Sequence, residues 1–148
     1  GFDEKGKKLG LGSSAAAAVA AVGAVFEYVG RPVAENRDVV YAIADAAHRT
    51  TQGGRGSGAD VAAAVHGGYI HFVRPRDGLP VVKSLPEPAK LEVVVFWTGE
   101  SASTPKLVEA VQAFGKRTPP LYQWAMGELR ALAARFLQEL TSGNTRGV

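Results

Sequence analysis

The strongest constraint on the fold is a glycine- and serine-rich turn that leads directly into an alanine-rich stretch. The turn reads Gly10-Leu11-Gly12-Ser13-Ser14-Ala15, and apolar residues continue to Phe26. Glycines allow backbone amides to approach an anion closely, and the start of a helix favours negative charge. Serine hydroxyls can also bind phosphate oxygens or a magnesium ion. The segment therefore predicts an anion site, and the alternative is a plain turn in which Ser13 or Ser14 caps the helix.

Two common phosphate motifs can be compared with this turn. The Walker pattern G-x-x-x-x-G-K-[ST] is absent from the sequence, which argues against an ordinary P-loop enzyme. The dinucleotide pattern G-x-G-x-x-A is satisfied by Gly10, Gly12 and Ala15, and Glu35 follows about twenty residues further on. Residues 5–9, however, are rich in lysine and do not have the pattern of a buried strand. This context disfavours a dinucleotide site.

Composition excludes several classes of protein. The chain has 148 residues, of which 46% are hydrophobic and 21% charged, which is enough for one domain with a core. It has no cysteine, so a disulfide framework and a thiolate zinc site are impossible. The net charge of +3 suits a small anionic ligand, while the scattering of the basic residues argues against nucleic acid. The apolar run over residues 15–26 is too short to span a membrane, and we expect a cytoplasmic protein.

Hydrophobic periodicity predicts an α+β domain. Residues 91–97 have the strongest strand pattern, and we expect this strand to be central and buried on both faces. The apolar face of a helix over residues 36–49 is predicted to consist of Val39, Val40, Ile43, Ala46 and Ala47. The other predicted elements are helices over residues 15–29 and 60–66, strands over 69–73 and 79–83, a helix from Pro105, and a longer helix after Pro120 that ends at 142–144.

Three segments match, in order, the motifs of one superfamily. The first is Leu9-Gly10-Leu11-Gly12-Ser13-Ser14-Ala15-Ala16, and the second is Gly56-Ser57-Gly58-Ala59-Asp60 with the alanines that follow. They resemble the phosphate-binding motif and the Gly-Ser-Gly-x-Asp segment of the GHMP kinases, which include galactokinase, homoserine kinase, mevalonate kinase and phosphomevalonate kinase. The third segment is Trp97-Thr98-Gly99-Glu100-Ser101-Ala102-Ser103-Thr104. It is similar to a Trp-Thr-Gly-x-x-Ala-Ser-Thr segment of the phosphomevalonate kinase branch, and Lys8 also resembles that branch.

The resemblance implies a fold and an activity. The fold would be a GHMP-kinase-like mixed sheet packed with helices, incomplete in its N-terminal domain, with residues 1–100 forming the phosphate loop and core and residues 101–148 leading into the C-terminal domain. The implied reaction is ATP- and Mg²⁺-dependent phosphoryl transfer to a small phosphorylated alcohol, with phosphomevalonate as the first candidate. The alternatives are another GHMP kinase, such as mevalonate kinase, and an inactive nucleotide-binding fragment.

The resemblance also implies roles for individual residues. Asp60 matches the catalytic aspartate, for which the alternative is a cap on the helix that follows it. Ser14 would be a magnesium ligand. The ATP phosphates would lie against the amides of Gly10, Leu11, Gly12, Ser13, Ser14 and Ala15. Candidates for binding the phosphorylated acceptor are Lys8, Ser57, Gly58, Ser101, Ser103 and Thr104, of which the last two can also cap a helix.

The three histidines carry no recognisable metal motif. His48, His66 and His71 lack the H-E-x-x-H spacing, and sequence distance alone does not establish a serine–histidine–aspartate set. We therefore interpret all three as ordinary structural histidines.

Overall fold

The computed structural model describes residues 6, 10–54, 56–75, 77–88, 91–99 and 103–142. The chain divides into two compact units, Gly1–Leu85 and Pro86–Val148. The first unit contains α1 (Ser13–Tyr28), a short 3₁₀ turn (Val33–Glu35), α2 (Arg37–Thr51), α3 (Ala59–His66), β1 (Tyr69–Val73) and β2 (Val81–Leu85). The second unit contains α4 (Thr104–Arg117) and α5 (Pro119–Ser142). The α+β class is thereby confirmed, and the wider division into partial kinase domains stays a prediction.

The core of the first unit lies where α1, α2 and α3 meet. The alanine-rich α1 lets its neighbours come close, and Gly23 is buried at a point where an added Cβ would lie 3.3 Å from Val33 Cγ2. Val40 of α2 and Val61 of α3 are fully buried between the helices. The hydrophobic core cluster consists of Ala15, Phe26, Val40, Tyr41, Ala44, Val61, Ala62 and Val65. These three helices consequently bring the start of α1, the end of α2 and the start of α3 into one rigid framework.

The apolar face predicted for α2 is wrong. Val39 and Ile43 are each nearly half exposed. The buried side of the helix carries Tyr41, Asp45 and His48 beside Val40 and Ala44. Periodicity assigns polar residues to the solvent side, whereas here the polar side chains have partners that offset the loss of hydration. The helix is therefore rotated relative to the prediction, and it presents polar groups to the interior of the unit.

Two antiparallel strands complete the first unit. Tyr69 pairs with Leu85 and Val73 pairs with Val81, and Phe72 contacts Tyr41 edge to face at 6.5 Å between ring centroids. The first strand lies where the sequence predicts it, whereas the second begins two residues late. Because the pairing ends at Val73, Leu79 lies beyond the last partner in β1. Pro80 also lacks the amide that a ladder position requires.

The second unit exposes most of its apolar side chains. Helices α4 and α5 contact each other through an edge-to-face pair of Phe114 and Tyr122, with 6.3 Å between centroids. The large apolar side chains of α5 are mostly exposed, with Trp124 at 63%, whereas Leu140 is buried. In the part of the chain that the structure describes, no helix is both long and apolar enough to cross a membrane.

The buried strand predicted over residues 91–97 is wrong for this structure. The segment is not assigned to a strand, and its side chains are largely exposed, with Phe96 at 83%. A strand needs a neighbour that satisfies its backbone amides and carbonyls. No strand is found among residues 86–88, 91–99 and 103–142 of the second unit, so a strongly apolar sequence remains without a ladder.

Candidate active site

The start of α1 has the form of an anion site. Gly12 is the N-cap residue with φ 75° and ψ 20°, and no side chain caps the helix. The amide of Ala16 donates to Gly12 O at 3.0 Å as the first helical hydrogen bond. The amides of residues 13–15 therefore precede the hydrogen-bonded ladder. A Cβ built on Gly12 meets no atom of the described residues within 4 Å, so these residues leave the space beside the turn open. The alternative of a serine-capped turn is consequently wrong.

Asp60 lies in the first turn of α3 and is not its cap. Gly58 is the N-cap residue, again left-handed with φ 77° and ψ 6°, and it too has no side-chain cap. The carboxylate Oδ1 of Asp60 accepts from the adjacent Val61 amide at 3.0 Å. Its side chain is 45% exposed. The interpretation of Asp60 as a helix cap is therefore wrong, and the carboxylate remains accessible from solvent.

His48 brings the two predicted functional side chains together. Its side chain is only 5% exposed, and its Nε2 lies 3.1 Å from Ser14 Oγ and 4.0 Å from Asp60 Oδ2. The Ser14–His48 distance is that of a hydrogen bond, whereas the His48–Asp60 distance is too long for one. Gln52 Nε2 lies 3.1 Å from the same histidine nitrogen. The end of α2 thus connects the starts of α1 and α3 through a single imidazole.

The second glycine turn is held from behind by an ion pair. Arg74 donates through Nε to Ser57 O at 2.6 Å, and through Nη2 to Asp45 Oδ2 at 2.6 Å and Tyr41 Oη at 2.8 Å. A Cβ built on Gly58 would collide with Asp45 Oδ1 and would lie 2.7 Å from Arg74 Nη2. This packing admits only glycine at residue 58, and it fixes the backbone from which Asp60 projects.

Burial in this network raises the pKa of Tyr41, and the negative charge of Asp45 acts in the same direction. Arg74 opposes both effects because its positive charge and its hydrogen bond favour the tyrosinate. Asp45 Oδ1 is buried and has no hydrogen-bond partner. The network therefore stabilises a neutral tyrosine beside a charged pair.

The sequence interpretation missed the polar face of α2. The histidine taken as ordinary, His48, makes the contacts that link Ser14 with Asp60. A signal was present, because Tyr41, Asp45, His48 and Gln52 follow one another at intervals of four, three and four residues. That spacing places the four side chains on one face of a helix. An unbroken polar face on a helix between two glycine turns is the pattern that could have identified them.

Two of the candidates for binding the acceptor, Ser57 and Gly58, lie in the glycine turn that precedes α3. Ser57 is exposed, and its Oγ accepts from the Ala59 amide at 3.3 Å. Ser103 belongs to the second unit, where it is the N-cap residue of α4 without a side-chain hydrogen bond. Lys8 and Ser101 lie outside the described residues, and Thr104 is described only as the first residue of α4. Their roles stay predictions.

The residues present suit magnesium and a nucleotide phosphate. The structure contains, within its described ranges, no group of three or more acidic, histidine or cysteine side chains that could hold a metal by themselves. Ser14 Oγ and Asp60 Oδ2 nevertheless place two oxygens within 3.1 Å and 4.0 Å of His48 Nε2. Magnesium commonly takes one or two protein oxygens together with water and substrate phosphates. A weakly liganded cation that depends on phosphate for its remaining contacts fits this donor set.

A separate polar cavity of about 420 Å³ lies at the start of α2. Asn36, Arg37, His66 and Ser84 are among the residues that line it. None of the lining residues belongs to the predicted phosphate, metal or acceptor set. The cavity and the Ser14–His48–Asp60 cluster are therefore lined by different residues of the first unit.

Comparison with known proteins identifies the relatives of this arrangement. Residues 6–68 match the family described as GHMP kinases N terminal domain. The chain is 34% identical to a phosphomevalonate kinase of Streptomyces sp. (strain CL190), over 71% of this chain and 33% of that protein. It is 33% identical to a mevalonate kinase of Thermococcus gammatolerans, over 77% of this chain and 31% of that protein. It is also 27% identical to a phosphomevalonate kinase of Candida albicans, over 90% of this chain and 38% of that protein.

The chain spans about a third of the length of these relatives. No solved structure is significantly similar to it. The matched segment, residues 6–68, contains both glycine turns and the Ser14–His48–Asp60 cluster.

Proposed function

Since this chain belongs to the GHMP kinase family, we propose that it carries the phosphate-binding turn and the catalytic carboxylate of an ATP-dependent kinase acting on phosphomevalonate. The observation that carries the proposal is the convergence of Ser14 and Asp60 on His48. The two residues are separated by most of the first unit in sequence, yet they flank one imidazole nitrogen. Phosphoryl transfer requires such a combination of anion-binding amides, an oxygen ligand for a cation and a carboxylate.

The open turn at the start of α1 is the proposed site for the nucleotide phosphates. The amides of Ser13, Ser14 and Ala15 would donate to phosphate oxygens, with support from the helix dipole. Ser14 Oγ would ligand magnesium, which when bound neutralises part of the phosphate charge. Because no acidic residue lies in the first turn of α1, nothing on that turn repels the phosphates.

Asp60 is the proposed group that orients the acceptor and takes its proton. Its carboxylate is accessible to solvent, and its 4.0 Å distance from His48 Nε2 leaves Oδ2 without a hydrogen bond to that ring. A free carboxylate oxygen beside the phosphate site can orient an attacking oxygen, and it can accept the proton of a hydroxyl or of a phosphate monoanion. For a phosphate-monoester acceptor, that oxygen attacks the terminal phosphate of ATP, and the products are a diphosphate and ADP.

Phosphomevalonate is favoured as the acceptor by the third sequence segment. Trp97-Thr98-Gly99-Glu100-Ser101-Ala102-Ser103-Thr104 resembles phosphomevalonate kinases, and relatives of that name match the chain. Mevalonate is the second candidate, because a mevalonate kinase matches at nearly the same identity. Both acceptors would use the same turn and the same carboxylate, so the choice between them concerns the acceptor pocket alone.

The experiment is ADP release by the intact protein with ATP and magnesium, measured with phosphomevalonate and separately with mevalonate. We expect release that depends on phosphomevalonate and that falls by about 10²- to 10⁴-fold in Asp60→Asn. The matched control is Asp38→Asn, an exposed carboxylate in the first turn of α2, which should retain the wild-type rate. Undiminished ADP release in Asp60→Asn would contradict the catalytic role of Asp60. Faster ADP release with mevalonate than with phosphomevalonate would identify mevalonate as the acceptor.

Measurements of ATP binding distinguish an active kinase from an inactive nucleotide-binding fragment. Titration of ATP into the intact protein with and without magnesium should give magnesium-dependent binding if the turn is a working site. Binding without turnover would favour a nucleotide-binding module that lacks catalytic activity. The absence of any binding would contradict the proposed phosphate site.

A further inference from the structure

His48 is buried but is placed among polar partners that reach it from three different elements. Ser14 comes from α1, Asp60 from α3, and Gln52 follows the last turn of α2. An ordinary structural histidine would satisfy its ring with backbone groups or with one neighbour. Here the two side chains nearest the imidazole Nε2 on other helices are those to which phosphate chemistry has been assigned. The imidazole of His48 is therefore placed to act on both Ser14 and Asp60.

The direction of the hydrogen bonds follows from Gln52. A Cβ built on Gly56 would lie 3.1 Å from Gln52 Oε1, so the amide oxygen faces the second glycine turn. The amide nitrogen then faces His48 Nε2 at 3.1 Å. With the Gln52 amide assigned in this orientation, its NH₂ group donates to Nε2, and the ring proton is assigned to Nδ1. The single lone pair of Nε2 is then shared by Gln52 and Ser14 in a three-centre hydrogen bond.

The Ser14 hydroxyl must then donate to His48 Nε2 across their 3.1 Å contact. A hydroxyl has one proton and two lone pairs, and donating the proton leaves both lone pairs on Oγ free. The hydroxyl is partly exposed at the open start of α1. A free lone pair is what an oxygen needs in order to ligand a hard cation. Without the acceptor, the hydroxyl would rotate and offer its proton to solvent or to the nearest anion.

We propose that His48 is a positioning residue, which takes the Ser14 hydroxyl proton in a hydrogen bond and so keeps the serine oxygen ready to ligand the magnesium of a bound nucleotide. The proposal rests on the proposed function and deepens it, because it names the group that orients one predicted ligand. The role resembles the outer-shell partners that orient metal ligands elsewhere. His48 touches neither nucleotide nor acceptor in this account.

The test is a double-mutant cycle between Ser14 and His48, measured by calorimetric titration of magnesium with a non-hydrolysable ATP analogue. We expect His48→Leu to weaken binding by about 10- to 100-fold, as for other outer-shell partners of metal ligands. In a Ser14→Ala background, His48→Leu should weaken binding no further. His48→Gln, which keeps an acceptor atom, should restore binding to near the wild-type level. The matched control is His71→Leu on β1, which should leave binding unchanged.

The outcomes distinguish the positioning role of His48 from the proposed binding of a nucleotide. Additive losses in the cycle, or His48→Gln as weak as His48→Leu, would overturn the positioning role while leaving nucleotide binding intact. Failure of the wild-type protein to bind the analogue would overturn both the positioning role and the proposed function. Thermal melts establish which variants are folded.

A ligand-free measurement keeps the proposal testable if His48→Leu does not fold. The ¹⁵N chemical shifts of the His48 ring distinguish the tautomer with its proton on Nδ1 from the tautomer with its proton on Nε2. We expect the Nδ1–H tautomer in the wild-type protein, and a change in the Nε2 shift in Ser14→Ala. An Nε2–H tautomer, or an Nε2 shift that does not respond to Ser14→Ala, would contradict the proposal.

Discussion

The two glycine turns of the first unit have the same backbone and opposite surroundings. Gly12 and Gly58 are both left-handed N-cap residues, with φ near 75° and no side-chain cap on the helix that follows. A Cβ on Gly12 would meet nothing within 4 Å, whereas a Cβ on Gly58 would meet Asp45, Arg74 and Tyr41. The same local geometry is therefore open to a ligand in one case and filled by the protein in the other.

Because of this difference, we expect the two turns to have different functions. An open helix start with free amides can accept phosphates, which supply the interactions that the protein leaves unmade. A closed turn cannot, but the Arg74 network behind it fixes the position of the helix that carries Asp60. A motif of glycine and serine is thus not by itself a phosphate site. The packing behind the backbone decides whether it binds a ligand or holds a residue.

Gly58→Ala is expected to have the largest effect on stability. The substitution combines a left-handed conformation that alanine resists with a collision against Asp45 and Arg74, for a total cost of about 3 kcal/mol. Chemical denaturation of the variant and the wild-type protein measures this cost. A loss below about 1 kcal/mol would mean that the second turn is not closed, since the conformational cost alone is of that size.

Breaking the ion pair behind the second turn should cost somewhat less. Asp45→Asn or Arg74→Gln removes one charge of a largely buried pair, and we expect each to lower the free energy of unfolding by about 2 kcal/mol. In a double-mutant cycle the combined variant should lose less than the sum of the two single losses. Additive losses would show that Asp45 and Arg74 stabilise the turn independently.

Gly12→Ala should cost only the left-handed strain, about 1 kcal/mol, because its Cβ would enter open space. The same methyl group would occupy the volume proposed for phosphates, so the affinity for a magnesium–nucleotide analogue should fall although the fold survives. Calorimetry and denaturation on one sample measure both quantities. A stability loss equal to that of Gly58→Ala would abolish the distinction between the turns.

The smallest effect concerns pH. Because the pKa of Tyr41 is raised in the folded state, the folded protein retains a proton that the unfolded chain loses at alkaline pH. The stabilisation is fully present below the ordinary tyrosine pKa of about 10 and is lost as the pH rises from there toward the folded-state value. Tyr41→Phe should show a shallower loss of stability in that range. Equal slopes for the two proteins would contradict the buried environment of Tyr41.

The sequence predicts where the helices of both units lie, and it fails on burial and on strand pairing. Helices α1, α2 and α3 and strand β1 lie within a few residues of their expected positions, because alanine content, glycine stops and β-branched residues are local signals. The buried face of α2 was not predictable in the same way, since burying Asp45 and His48 depends on partners far away in sequence. The local sequence pattern indicates where a helix or strand lies. Contacts with residues distant in sequence determine which side of it is buried.

In the second unit, an apolar sequence pattern is not sufficient to form a strand. Residues 91–97 have an apolar composition that suits a central strand, yet a strand is made by its neighbours, and the segment has none among the described residues of its unit. Trp124 and most other large apolar residues along α5 likewise follow a helical spacing while remaining exposed, whereas Leu140 is buried. Periodicity correctly predicted a helix there, but not its burial.

The central claim is that the open turn at the start of α1 receives the nucleotide phosphates. Backbone amide chemical shifts followed by NMR, while a non-hydrolysable ATP analogue and magnesium are added, test it most directly. We expect the largest changes in the amides of residues 10–15, with smaller ones at the closed turn of residues 56–58. Unchanged amides at 10–15, with the largest changes instead at the closed turn or at the cavity beside Arg37 and His66, would contradict it.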